Sequence, residues 1–388
     1  MLSCSFFVEG IGAKKRKGEK MQKVRVAVVG LGFGAEFIPI YQRHPNAECY
    51  AICQRTKKHL NQIGEQFGIK RRFTRFEDLL GIDEIDAIHV VSPIADHAWM
   101  ALASLKAGKH TACTVPMAAT RKDCLDIARA RKKAGKVYMM METAVYTREF
   151  LYAKELVESG KLGSIQFLRG SHQQNMSLPG WPDYWYGFPP MHYATHAVSP
   201  LLCLAKKRAE SVVCHGSGRI RKEYAKRYGS PFAIETALVK LKDSNLACEV
   251  TRSLFDTIRQ YRESFDVYGT KLSFEWEQIA GEGVVIYSSY EDARRIEVPD
   301  YGRLLPRPIA PFTGRGVYDE EHEHTSFIQG SGHGGSHPHL VHEFISAIVE
   351  HRPSAVDAKP AANWTMTGIC AHESAMKGGK RIQIPQVD

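Results

Sequence analysis

VRVAVVGLGFGAEFI, residues 24–38, decides the reading of this chain. An apolar, β-branched run ends at Gly30, and Gly30, Gly32 and Ala35 fall at G-x-G-x-x-A spacing. Each position has a physical task in a dinucleotide site. Gly30 permits the tight strand-to-helix turn, and Gly32 offers no side chain to block a pyrophosphate. Ala35 is small enough to let the helix pack closely on the strand, so the helix N-terminus points at the phosphates. Phe33 lies inside the same loop and is a further cofactor-contact candidate. Glycine pairs also close ordinary turns, but this one follows a strand-like run and precedes a helical one.

Strand-like and helix-like segments alternate outward from that loop. AECYAICQ (47–54), DAIHVVS (86–92), HTACT (110–114) and KVYMMME (136–142) are short and apolar, like buried parallel strands. Between them EFIPIYQRH, KKHLNQIGEQF, ADHAWMALASLKAG and RKDCLDIARARKKAG carry helical spacing, the last two ending in Gly108 and Gly135 as C-cap signals. Repeated β-α alternation predicts a Rossmann-type parallel sheet covered by helices over 23–144. From 145 to 388 the pattern changes to a helix, REFLYAKELVESG, and longer alternating segments: SIQFLRGSHQQ, ETALVKLKD, LACEVTRSL and ESFDVYGTKLSFEWE. These suit an open, largely antiparallel sheet with one solvated or partner-facing side, in a second α/β domain. The tail reads as two helices, PHLVHEFISAIVEH and AANWTMTGICAHESAMKGG, with a closing strand KRIQIP.

Composition narrows the function classes. The 388 residues are 44% hydrophobic and 24% charged, the balance of a soluble globular enzyme. No apolar run approaches the roughly 18–20 residues that span a bilayer, so no membrane role is expected. About three of the ten net positive charges come from the stretch 1–22, which reads as a disordered extension rather than a signal peptide, its basic residues following its apolar ones. The rest are dispersed, without the basic helix or aromatic-basic alternation of a nucleic-acid groove. Nine cysteines occur without a C-x-x-C pair and predict reduced, packed thiols in a cytoplasmic protein.

The glycine loop, VVSPIADHAWMALASLKAGKHTACTVPMA (90–118), LVESGKLGSIQFLRG (156–170) and the closing HLVHEFISAI and AHESA segments together resemble the Gfo/Idh/MocA family of nicotinamide-dependent sugar oxidoreductases. The resemblance covers nearly all of residues 23–386. It implies a Rossmann domain, a second domain whose open sheet forms a homodimer or homotetramer, and Ser92, Pro93, His97, Thr114 and Pro116 around the cofactor. Two departures stand out. The family's Glu-Lys-Pro loop reads Thr114-Val115-Pro116, so the usual lysine is absent. Its Asp-x-x-x-His pair reads His192 and His196. PPMHYATHAVSP (189–200) and GHGGSH (332–337) are similar to segments of a subgroup containing NAD-dependent glycosidases.

Removing hydride from a carbinol requires a base for the hydroxyl proton, and histidine titrates in the right range. His196 is the candidate base, with Tyr193 and His192 as relay or substrate groups. GWPDYWYGFPP (180–190) offers Trp181 and Trp185 for stacking on sugar CH faces and Asp183 for hydroxyls, the alternative being a loop pinned by buried rings. Histidines 322, 324, 333, 337, 339 and 342 lack the carboxylate or thiolate pattern of a recognised site, so no metal is assigned. His333 and His337 are instead substrate-binding candidates. Cofactor choice turns on Gln54-Arg55-Thr56 after the second strand: Gln54 suits a ribose and Arg55 a 2′-phosphate, leaving NAD and NADP both open. The expected activity is hydride transfer from a secondary hydroxyl of a sugar, glycoside or cyclic polyol. The alternatives are glycoside cleavage through a transient 3-keto sugar and cofactor binding without catalysis.

Overall fold

Val24–Val29 forms β1, and its β-branched residues pack on both faces at the centre of a six-stranded parallel sheet. The computed structural model describes residues 23–259, 261–314 and 333–387; the 1–22 extension and the histidines at 322 and 324 lie outside the described residues. The sheet order is β3 (Arg72–Phe73), β2 (Ala47–Cys53), β1, β4 (Ala87–Val90), β5 (His110–Cys113), β6 (Tyr138–Met140). Every pairing in it is parallel. That is the Rossmann order, with its crevice outside the carboxyl ends of the strands where the order reverses. Helices α1 (Ile38–Arg43), α2 (Lys57–Gln66), α3 (Glu77–Leu80), α4 (Ile94–Lys106) and α5 (Arg121–Ala134) complete the layers. The α5 boundaries are encoded locally. Thr120 accepts the Asp123 N–H at its start, and Gly135 closes it in the left-handed region at φ 63°.

The glycine loop departs from the expectation in one respect. The helix after it begins as a 3-10 turn, Gly34–Phe37, before α1. That turn brings Gly34, not Ala35, against the sheet. A Cβ on Gly34 would lie 3.2 Å from Val28 and Val91, whereas Ala35 is half-exposed. The close-packing position assigned to Ala35 therefore belongs to Gly34.

Helix α6 (Arg148–Glu158), capped by the Thr147 hydroxyl, leads into a nine-stranded sheet. Its order is β14 (Ala293–Ile296), β13 (Val284–Tyr287), β12 (Ser273–Glu275), β11 (Tyr261–Gly269), β7 (Ile165–Gln174), β10 (Ala247–Ser253), β9 (Ile234–Leu241), β8 (Ala209–Ser217), β15 (Ile382–Gln383). Only the β7–β10 pairing is parallel. Helix α7 (Thr195–Ala205) packs across its centre, and Gly170 allows the approach: a Cβ there would lie 2.1 Å from the Ala197 carbonyl. A short α8 (Lys222–Tyr228) precedes β9. After residue 333 the chain returns to the first sheet. Helix α9 (His337–Val349) packs on β1 and α1, and α10 (Ala358–Met376) on α5, β6 and β8. One continuous apolar core consequently runs through both sheets. The eight described cysteines are all free, and no helix among the described residues is long and apolar enough to cross a membrane.

Candidate active site

The carboxyl ends of β1, β4, β5 and β6 deliver the glycine loop, Ser92, Thr114 and Glu142 to one crevice. At its entrance Gly30 holds φ +87°, and a Cβ there would come within 2.4 Å of the Val91 carbonyl. Only glycine fits that turn. A Cβ on Gly32 would meet nothing within 4 Å, which is the open space a pyrophosphate requires. The Leu31 N–H donates to Gln54 Oε1 at 3.1 Å, and His59 Nε2 lies 3.3 Å from the Leu31 carbonyl. Gln54 thus braces the loop through its oxygen. Arg55, just beyond, is exposed. These residues fit a dinucleotide.

Opposite the loop, β7 and β11 and the start of α7 close a cleft with roughly 870 Å³ of empty space, its open mouth included. Three strands set its floor by register: His172 on β7 stands opposite Glu263 on β11 and Arg252 on β10. Glu142, fully buried just after β6, holds His196 Nδ1 at 2.6 Å and accepts the Ala144 N–H at 3.0 Å. Thr143 Oγ1 lies 3.3 Å from the same ring nitrogen. With Nδ1–H donating to the carboxylate, the Nε2 lone pair of His196 is left on the cleft side, 3.9 Å from Glu263 Oε1. His172 Nε2 lies 3.7 Å from that oxygen, and the Tyr261 hydroxyl donates to it.

Burial drives the electrostatics of this floor. It pulls the His196 pKa down, but the Glu142 and Glu263 carboxylates together outweigh it and leave a net upward shift. Burial, then the Arg252 charge, holds His172 well below the ordinary histidine range. Glu263 is raised, chiefly by burial. Arg252 is pushed down to about 9 by burial, the largest effect on it. It donates to the Tyr193 carbonyl at 2.8 Å, the His172 carbonyl at 3.0 Å and Gln174 Oε1 at 2.9 Å. The Arg252 guanidinium also sits 5.2 Å from the Tyr193 ring centre.

Several of the residues singled out in the sequence meet here. Phe33, Ser92, His97, Thr114, Trp181, Trp185, Tyr193, His196 and His333 all line the cleft. His97 acts as a strut, its Nδ1 2.7 Å from the Pro116 carbonyl and its Nε2 2.8 Å from the Ser92 carbonyl. Both tryptophans serve two ends: they edge the cleft and belong to a satellite core with Met176, Phe188 and Phe255. Others are placed elsewhere. His192 packs against Phe188 and His372, away from the cleft, and burial lowers it to about 3. Asp183 is exposed, with its carbonyl bound by Arg227. His337 is buried behind the glycine loop against Phe37, with Nδ1 3.5 Å from Glu36. Val115, in the family's lysine position, lines the cleft as an apolar contact.

Glu142, His172, Arg252, Tyr261 and Glu263 were not singled out in the sequence. Glu142 carried a readable signal, a lone acid ending the apolar run KVYMMME at the crevice end of a parallel strand. The other four are visible only once strand register is known.

The model of the oxidoreductase family with an NAD-binding Rossmann fold, Gfo/Idh/MocA, matches residues 24–142, and the model of that family's C-terminal domain matches residues 150–275. A glycosyl hydrolase family 109 protein of Stenotrophomonas maltophilia is 24% identical, with 94% of this chain and 89% of that protein covered. A 4-carboxy-2-hydroxymuconate-6-semialdehyde dehydrogenase of Sphingobium is 25% identical over 50% of this chain, which spans 62% of that protein. Among solved structures, the apo scyllo-inositol dehydrogenase of Lactobacillus casei superposes with a TM-score of 0.71 at 17% identity, covering 94% of this chain and 99% of that one. A levoglucosan dehydrogenase in complex with NADH and levoglucosan gives 0.77 at 19% identity, covering 94% and 100%.

Proposed function

This chain belongs to the Gfo/Idh/MocA oxidoreductase family, and from that premise we propose that it oxidises a secondary hydroxyl of a sugar, glycoside or cyclic polyol, with His196 as the base. Its first domain is an NAD-binding Rossmann domain, and its enzyme class is that of the NAD(P)-dependent dehydrogenases. The observation that carries the proposal is the Glu142–His196 pair at 2.6 Å. The carboxylate fixes the tautomer and steadies the imidazolium that forms when Nε2 takes the hydroxyl proton, the arrangement of a carboxylate–histidine catalytic dyad. A nicotinamide bound through the glycine loop supplies the hydride acceptor. Tyr193, beside His196 at 5.4 Å between ring centres, and His333 complete the polar wall for substrate hydroxyls, while Trp181 and Trp185 present ring surface to the sugar. The missing lysine is offset by this dyad, which needs no group at position 115. Assembly as a homodimer or homotetramer would use the outer face of the nine-stranded sheet, where Leu238 is exposed.

A second reading has its own support. The likeness to a glycosyl hydrolase family 109 protein runs along nearly the whole chain, and a base beside a ketone-forming carbon also suits elimination of an aglycone. One screen separates the two. Purified protein is incubated with NAD⁺ or NADP⁺ and a panel of sugars, polyols and aryl glycosides. Stoichiometric cofactor reduction supports the dehydrogenase, aglycone release without net reduction supports the glycosidase, and neither reaction on any member counts against both.

A further inference from the structure

We propose that His172, His196 and Glu263 form a binding site for a zinc-class divalent cation, and that a bound ion switches off the His196 base. The first observation is geometric. One donor atom from each of the three residues lies within 4.8 Å of the other two, and Glu263 Oε1 is 3.7 Å from His172 Nε2 and 3.9 Å from His196 Nε2. Ligands around a tetrahedral zinc ion sit about 2.0–2.1 Å from the metal, and so about 3.3 Å apart. The two separations to Glu263 exceed that spacing by about half an ångström. The second is an unsatisfied group. His172 is buried, and neither of its ring nitrogens has a hydrogen-bond partner among the described residues. A metal bond at Nε2 gives this buried imidazole one of the two partners it lacks.

The third observation is the support behind the ligand. Metal-bound histidines commonly donate their other ring N–H to a carboxylate, which fixes the ring and raises its basicity. Glu142 holds His196 Nδ1 in that way. Tyr261 donates to Glu263 and fixes the third ligand. Two imidazoles and one carboxylate make a three-ligand set with a position left open toward the cleft, and nitrogen-oxygen sets of this kind favour zinc and its neighbours over magnesium or calcium. His333, His337, His339 and His342 do not belong to it. The ligands come instead from two strands and a helix that only the fold brings together.

The consequence follows from one lone pair. His196 Nε2 accepts a proton or binds a metal, but not both, so the loaded site cannot deprotonate a substrate hydroxyl. This consequence rests on the dehydrogenase reading; metal binding itself does not.

The test uses the full-length protein stripped with a chelator, titrated with Zn²⁺ by calorimetry and with Co²⁺ by its visible absorption. One equivalent is expected at this site, weakened at least tenfold in His172→Ala and in Glu263→Gln, the latter nearly isosteric and so the safeguard if the former misfolds. Glu142→Gln should weaken it by about ten- to a hundredfold, as loss of an outer-sphere carboxylate does. Turnover on the substrate found by the screen should fall as the equivalent is filled and return with chelator. Absence of binding, or binding unchanged in both ligand variants, overturns the site. Binding with full turnover retained overturns the switching. Metal-free turnover without zinc binding leaves the dehydrogenase reading intact, whereas zinc binding by a protein inert in chelator sinks that reading and leaves the site standing.

Discussion

The glycine loop and the cleft floor are built in opposite ways. In the loop, Gly30, Gly32 and Gly34 act within five residues, and the spacing of the first two by itself states the turn and the empty space. On the floor, Arg252 reaches the His172 carbonyl across 80 positions, and His196 meets Glu142 across 54. The loop uses backbone: a turn, an empty space and a donor edge. The floor uses buried side chains whose charges must be satisfied by partners from other strands. A motif can record the first kind of site. The second exists only when register is correct, because slipping a strand by one residue turns each of these side chains to the opposite face.

If the loop works by empty space alone, a carboxylate at its open position should do the most damage. Gly32→Asp should abolish dinucleotide binding by calorimetry while the thermal transition stays close to that of the parent, since no atom crowds that position. Retained affinity would break the loop half of the comparison.

The floor should instead respond through stability. Arg252→Met strips hydrogen bonds from three carbonyls and Gln174 in a fully buried setting, which should cost about 3–5 kcal/mol in denaturant unfolding. A loss under about 1 kcal/mol, the size of a single ordinary hydrogen bond, would show that the floor does not depend on this side chain.

A smaller effect concerns the edge of the loop site. Arg55→Ala should weaken NADP about ten- to a hundredfold and NAD much less, one charge-assisted hydrogen bond being worth about 1.5–3 kcal/mol. Equal losses would remove Arg55 from phosphate recognition.

The smallest concerns Glu149, at the start of α6. Burial raises its pKa to about 7. The folded state therefore holds a proton that the unfolded chain releases near its ordinary pKa of about 4.3. The sign follows: this contribution is full below about pH 4, and is lost as pH rises to about 7. Glu149→Gln should flatten that decline by about 1–3 kcal/mol in melts taken across roughly pH 4.5–7.5. An unchanged pH slope would show that Glu149 is solvated.

Much of the fold was legible because its signals are local. The β-branched runs, the Gly108 and Gly135 caps and the alternation in β7, β9 and β10 each state their own element. Ala35 was misread for a local reason as well: the 3-10 turn after the loop rotates the contact to Gly34, and spacing alone does not distinguish the two helix types. His196 was put forward through its chemistry and the family resemblance, and it lines the cleft. His192 was paired with it through the family's Asp-x-x-x-His pattern, but the 3-10 turn Pro190–Tyr193 ends before α7 begins, so the two imidazoles diverge. His172, Glu263 and Arg252 look in the sequence like ordinary polar residues of half-buried strands.

In the proposed mechanism His196, held by Glu142, takes the proton while the glycine loop holds the cofactor. Turnover and cofactor affinity measured together on His196→Asn test it most directly. In that variant kcat is expected to fall by about 10²–10⁴ with the dinucleotide Kd within about twofold of the parent. Near-normal kcat in that variant, with activity lost instead in Tyr193→Phe, would contradict it and move the proton's exit to the neighbouring phenol.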